Sequence, residues 1–414
     1  MRSMLLGICG WLLVQIAAAA AEDPSLGILN DPTVEAALAA AKAQEPECIE
    51  NEVRICEIPA PPFKEEIRAA EIKRQFLSLG LKEVRIDAAG NVIGVRPGAS
   101  AHPNLVLAAH LDTVFPPETE VKVTRKGSVL KAPGIGDDCR GLAVLLSVVR
   151  ALDAGKVQTP GTVTFVADTG EEGLGDLRGM KQLFNVTLKG QIDQFVSIDG
   201  TGMDIEDIGV GSYRYRANFE GPGGHSYGAF GLVNPIHAMG RAIAKIDELQ
   251  VKLQPKTTFN VGRVGGGTSV NAIASEAWME IDMRSADKAA LEDVRDRIQQ
   301  AVDAAVAEEN HRWGNRGSIT AKMELLGFRP PGLTPADSAI VRTAIAVSHR
   351  FGDKVLVHEG STDSNIPMSL GIPAITAGGG GVNVGAHSPR ETFDTTDSWR
   401  GTQRALALVV ALAR

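Results

Sequence analysis

The chain has little cysteine, no surplus of positive charge and no long apolar run beyond its first residues. Each shortage excludes a class of protein. Four cysteines in 414 residues cannot build the cross-linked framework of a small secreted scaffold. The 42 Lys and Arg stand against 50 Asp and Glu, a net charge of −8. That balance opposes non-specific nucleic-acid binding, which needs a basic surface. No window after the N-terminal segment is long and apolar enough to cross a bilayer, and internal repeats are missing. At 44% hydrophobic and 22% charged residues the composition is that of an ordinary globular protein. The length predicts two domains.

Residues 1–21 read as a signal peptide. Arg2 is a short positive region, Met4 to Ile16 is apolar, and Ala17 to Ala21 supplies small residues for cleavage before Glu22. The expected location is periplasmic or secreted, with no membrane attachment after cleavage. Export permits disulfides, yet none is expected. Cys9 leaves with the signal. Cys48 and Cys56 fall on one predicted helix, where their spacing corresponds to a rise of about 12 Å, too far for a bridge. Cys139 has no obvious partner and reads as a small buried filler.

The mature chain opens with Asp31-Pro32, a helix cap followed by proline at the first helical position. Helices are expected near 46–57 and 63–79, the second stopped by Gly80. Buried strand patterns (NLVLAAHLDTV, GTVTFVAD, QFVSIDG) then alternate with helical ones such as GLAVLLSVVRALDAG. Continuous apolar strands alternating with helices predict an α/β fold with a mostly parallel central sheet. Near residue 209 the texture changes to a β-α-β-β-α-β order, with a long amphipathic helix capped by Ser285. That order is ferredoxin-like. After Arg329-Pro330-Pro331 the α/β pattern returns. The predicted organisation is a larger domain from 22–208 and 327–414, interrupted by an inserted α+β domain at 209–326.

In α/β sheets ligands gather at the carboxyl ends of strands. Read there, the sequence supplies His110-Leu111-Asp112, then Gly136-Asp137-Asp138, Thr169-Gly170-Glu171-Glu172-Gly173, Asp199, and finally Ala386-His387-Ser388. Singly each is weak. Together they offer imidazoles and carboxylates without a thiolate pair, a donor set suited to a hydrolytic zinc site. There are enough of them for two metals if one carboxylate bridges.

This combination resembles the M20 metallopeptidases, which include glutamate carboxypeptidase, acetylornithine deacetylase, succinyl-diaminopimelate desuccinylase and bacterial di- and tripeptidases. The resemblance extends over nearly the whole mature chain and implies a zinc-peptidase-like catalytic domain with a lid and dimerisation insert. It implies two zinc ions per subunit, with cobalt or manganese as substitutes. Asp137 would bridge them, His110 and Asp199 would hold one, and Glu172 and His387 the other. Asp112 would orient the His110 imidazole, and Glu171 would be the general base toward a water whose pKa the cations lower. A cis peptide is implied between Asp137 and Asp138. In the insert, His225 would reach the active site of the other subunit and steady the oxyanion. Asn271 and Arg284 would hold a substrate carboxylate. Gly360-Ser361-Thr362-Asp363 resembles a pocket-lining loop of the family. Two features depart from the pattern. Cys139-Arg140 stands where many members have Lys, and the His225 loop reads SYGAFG rather than H-A-G.

The functional expectation is an exported metallopeptidase acting on a small peptide with a free carboxylate, as a homodimer through the insert. An N-acyl amino acid deacylase is the alternative within the family. A non-catalytic peptide-binding protein is the alternative of another class, and the intact Glu171 and ligand set weigh against it.

Overall fold

The structure, a computed structural model, describes residues 24–314 and 316–414. The expected signal peptide, Cys9 included, lies outside them. Among the described residues no helix is long and apolar enough to cross a membrane.

The chain forms an α/β core around a nine-stranded mixed sheet. Its centre is parallel: Thr162–Asp168, Asn104–His110, Gln194–Ile198 and Ala374–Ala377 lie side by side in that order. These segments are runs of Val, Leu, Ile, Phe and Ala, and the Asn104–His110 strand is buried along its full length. Such strands need cover on both faces. The helix Cys139–Ala154 provides it on one side and is itself buried nearly all round. It sits beneath the helices Pro32–Ala43, Glu45–Cys56 and Trp399–Leu412. Antiparallel strands Val92–Arg96 and Lys82–Ile86 extend one edge, and Ile205–Gly209 pairs on the other. Asp31 caps its helix as its sequence position suggests, accepting the Thr33 N–H at 2.8 Å.

Residues 211–329 build a second layer with its own core. The antiparallel strands run in the order Thr257–Gly266, Glu276–Ser285, Gly211–Glu220 and Thr320–Arg329. Helices Pro235–Asp247 and Lys288–Arg312 cover one face, around Phe219, Met279, Ile281, Val294 and Ile298. The strand and helix order is the expected ferredoxin-like one, with a small extra ribbon of Gly224–His225 against Ala272–Ile273. One cap differs from the sequence reading. Asp287, not Ser285, caps the long helix, accepting the Ala290 N–H at 2.7 Å. Ser285 is still in the strand, beside Thr257 at 3.2 Å.

Candidate metal centre and active site

The parallel strands all deliver their carboxyl ends to one edge of the sheet, and the polar loops collect there. His110 ends its own strand. Glu171 and Glu172 follow the Thr162–Asp168 strand across a turn in which Gly170 has φ +73°. A side chain at Gly170 would strike Arg178, so the turn demands glycine twice over. Asp199 follows the Gln194–Ile198 strand, and Asp137 precedes the Cys139–Ala154 helix across a cis peptide to Asp138.

Donor atoms of His110, Asp137 and Asp199 lie within 4.8 Å of one another, and so do those of Asp137, Glu172 and His387. The two triads share Asp137. His110 Nε2 is 3.0 Å from Asp137 Oδ1 and 3.9 Å from Asp199 Oδ1. His387 Nε2 is 3.0 Å from Asp137 Oδ2 and 3.1 Å from Glu172 Oε1. Glu171 stands beside both groups, within the same reach of His110 and Glu172. His110 and the two glutamates are buried; His387 enters from a half-exposed loop.

The electrostatics are those of acids crowded out of water. Burial pushes the Glu172 carboxyl up to about 6 and holds Asp199 well above the usual carboxylate range. Burial also pushes Asp137 up, but hydrogen bonds from His110 and His387 win and leave it below its ordinary value. The same contacts to Asp137 and Glu172 raise the His387 imidazole to about 10. For His110, burial favours the neutral ring, yet Asp137 and the charges of Asp138 and Asp199 hold its pKa well above the ordinary value. Imidazole nitrogens and carboxylate oxygens, with no sulfur, fit a borderline divalent cation at each triad.

Asp112 is placed differently from the sequence expectation. Its carboxylate is 3.8 Å from His110 Nδ1, while that nitrogen bonds the Asp112 backbone carbonyl at 2.9 Å. The carboxylate instead accepts the N–H groups of Gly170 at 2.8 Å, Glu171 at 3.1 Å and Glu172 at 2.9 Å. The residue thus fixes the ring through its backbone and the glutamate loop through its side chain.

The insert residues are not gathered into this cluster. His225 is exposed on the small ribbon, its Nδ1 accepting the Tyr227 N–H at 3.2 Å. Asn271 is exposed beside it and accepts from Ser269 Oγ at 2.6 Å. Arg284 pairs with Asp282 at 2.9 Å.

Several contacts around the site have no signature in sequence spacing. Asp138 accepts the His110 N–H and caps the following helix through Gly141. Glu391 accepts the N–H groups of Gly134 and Gly136, tying the Asp137 loop to the segment carrying His387. Arg140 is fully buried between Glu45 and Glu52, at 3.0 and 3.4 Å, and donates to the carbonyls of Gly379 and Ser398. Cys139 does have a neighbour: it shares a buried cluster with Cys56, Leu130, Ile135 and Phe393, and both thiols are free.

The sequence matches the model of Peptidase family M20/M25/M40 over residues 106–411. Acetylornithine deacetylase of Yersinia pseudotuberculosis is 26% identical over 319 residues, 73% of this chain and 77% of that enzyme. Aminopeptidase PepT of Bacillus cereus superposes with a TM-score of 0.73 at 20% identity, covering 89% of this chain and 99% of that one. The YXEP protein of Bacillus subtilis, a dinuclear metal binding peptidase, gives 0.66 at 18% identity over 90% and 100%. At those identities the two structures establish the fold alone. The family match spans most of the chain, from the strand that ends in His110 to the last helix. The protein therefore belongs to peptidase family M20/M25/M40 and is a metal-binding hydrolase.

Proposed function

We propose that the chain is an exported di-zinc peptidase that hydrolyses the amide bond of a small peptide bearing a free carboxylate. The observation that carries this reading is the pair of donor triads meeting at Asp137, with the Glu171 carboxylate beside both. His110, Asp137 and Asp199 would hold one cation, and Asp137, Glu172 and His387 the other. A bound pair would supply a Lewis acid for the scissile carbonyl and lower the pKa of a water. Glu171 takes the proton of the attacking water and returns it to the departing amine. Asp112 keeps that carboxylate in place by holding its loop.

His225 and Asn271, exposed together on the ribbon, suit delivery to a second subunit's site, which supports a homodimer through the insert. Arg284 is the proposed partner for the substrate carboxylate. Export rests on the N-terminal charge and apolar pattern, and the periplasm or medium is the proposed location. A second reading, N-acyl amino acid deacylase, is favoured by the 26% identity to an acetylornithine deacetylase.

The test is a zinc-loaded activity screen over dipeptides, tripeptides and N-acyl amino acids, with Glu171→Ala in parallel. Hydrolysis by wild type, lost in Glu171→Ala while two metals remain bound, is expected. Absence of metal-dependent hydrolysis by wild type across the panel would overturn the reading. Preference for N-acyl substrates would select the deacylase.

A further inference from the structure

Arg329 is the last residue of the insert's final strand, immediately before Pro330-Pro331, and its side chain is buried. Its Nη1 donates to Glu171 Oε1 at 3.0 Å and to the Ser361 carbonyl at 3.1 Å. Its Nη2 donates to the Glu171 backbone carbonyl. One guanidinium therefore holds the Glu171 side chain and main chain together and ties both to the Gly360–Asp363 loop. Among the described residues its Nε has no hydrogen-bond partner, so its hydrogen bonds run through the two terminal nitrogens, to Glu171 and Ser361.

This is not an isolated contact between the two layers. Arg214, on the insert's first strand and in register with Gly327, donates to the carbonyl of Gly173. Lys181 donates to the Phe328 carbonyl at 2.8 Å. At Gly327 a side chain would meet Asp176 Oδ1 at 2.9 Å, so the strand lies directly on the turn after the glutamate pair. Both strands that connect the insert to the rest of the chain thus grip the segment from Glu171 to Lys181.

We propose that Arg329 is a positioning residue for Glu171, through which the insert's connecting strands set where the general-base carboxylate lies. An arginine serving only to stabilise the junction could end on carbonyls alone; this one also places Nη1 on the one carboxylate assigned to proton transfer, while Nη2 holds the carbonyl of the same residue. A fork holds direction as well as distance, which a lysine at the same place would do only in part. The proposal rests on the reading of Glu171 as base.

The test compares wild type, Arg329→Lys and Arg329→Met, zinc-loaded, on the best substrate of the panel. Misplacing a catalytic group by about 1 Å can cost ~100-fold in rate. The expected result for Arg329→Met is a kcat lowered on the order of 100-fold, KM within about 3-fold, and two metals retained. Arg329→Lys should recover about a tenth of the wild-type kcat. A raised KM with kcat unchanged would assign Arg329 to substrate binding and overturn the proposal, as would an unchanged kcat. If Arg329→Met does not fold, Arg329→Lys decides by the same split. A crystal structure of the Lys variant gives a readout independent of turnover. A reoriented Glu171 carboxylate supports the proposal and an unmoved one refutes it, even if wild type hydrolyses nothing and the peptidase reading has failed.

Discussion

Replacing Asp112 with Asn changes one atom and separates two accounts of how this site is held. The carboxylate is fully buried and accepts three backbone N–H groups, with Oδ1 serving Gly170 and Glu171 and Oδ2 serving Glu172. Hydrogen bonds to a charged acceptor contribute about 1.5–3 kcal/mol each. In Asp112→Asn the amide oxygen can keep the first two, but the NH2 group then faces the Glu172 N–H, donor against donor. The loss is one charge-assisted bond plus a buried N–H without a partner, together roughly 3–6 kcal/mol. That strain falls on the loop carrying both the proposed base and a proposed ligand, so kcat should drop about 100-fold. The His110 ring is held by the residue 112 backbone carbonyl, which the substitution leaves in place. Affinity for the cation at the His110 triad should therefore change little. The assay is kcat at saturating zinc, with metal content by elemental analysis and affinity by chelator competition. If Asp112→Asn loses the His110-side metal yet turns over within about 3-fold of wild type when fully loaded, the carboxylate acts through the imidazole and the loop argument is wrong.

Two further outcomes follow from the buried charges. Burial raises the Glu52 carboxyl from 4.5 to about 8, against the pull of Arg140. Between those values the folded chain keeps a proton that the unfolded chain releases, so stability falls as pH rises from about 5 to 8, by roughly 3–5 kcal/mol. Glu52→Gln removes that slope. Urea unfolding of zinc-loaded wild type and variant at pH 5.5 and 8.5 checks it, and parallel pH dependences would refute it. At the candidate metal centre, contacts with Asp137 and Glu172 push the His387 imidazole up to about 10, and Asp137 with the charges of Asp138 and Asp199 holds His110 well above its ordinary value. Both must lose a proton to ligate. Zinc titration of chelator-stripped enzyme at pH 7 should therefore release at least one proton per subunit. Calorimetry in buffers of different ionisation enthalpy measures this, and heats independent of the buffer would count against the imidazole ligands.

How much of this could be read in the sequence depends on how far apart interacting residues lie along the chain. The sheet core was legible because strand and helix periods are local. The donor residues were legible because parallel strands expose their carboxyl ends at one edge, so position in a strand already predicts position in space. The long helix's cap lies two residues beyond the one its sequence suggests, for a local reason: Ser285 and Asp287 both suit a cap, and strand pairing to Thr257 claims the serine. What escaped was tertiary. Arg140 meets Glu45, Glu391 meets Gly136, and Arg329 meets Glu171, pairs with no periodic signature between them. Cys139 reads as solitary for the same reason, since Cys56 reaches it from another helix.

The role of Asp112 shows a finer limit. H-x-D predicts an imidazole beside a carboxylate, and the structure does place them 3.8 Å apart. Yet a carboxylate at a strand end can serve a ring or a row of loop amides, and the choice depends on where the neighbouring strand's loop passes. Here the Thr162–Asp168 strand lies beside the Asn104–His110 strand in parallel register, with His110 opposite Asp168. The next turn, Gly170 to Glu172, is therefore carried directly over Asp112, and three N–H groups outcompete one ring nitrogen. Spacing in the sequence names the chemical groups; the register of two strands decides which of them meet.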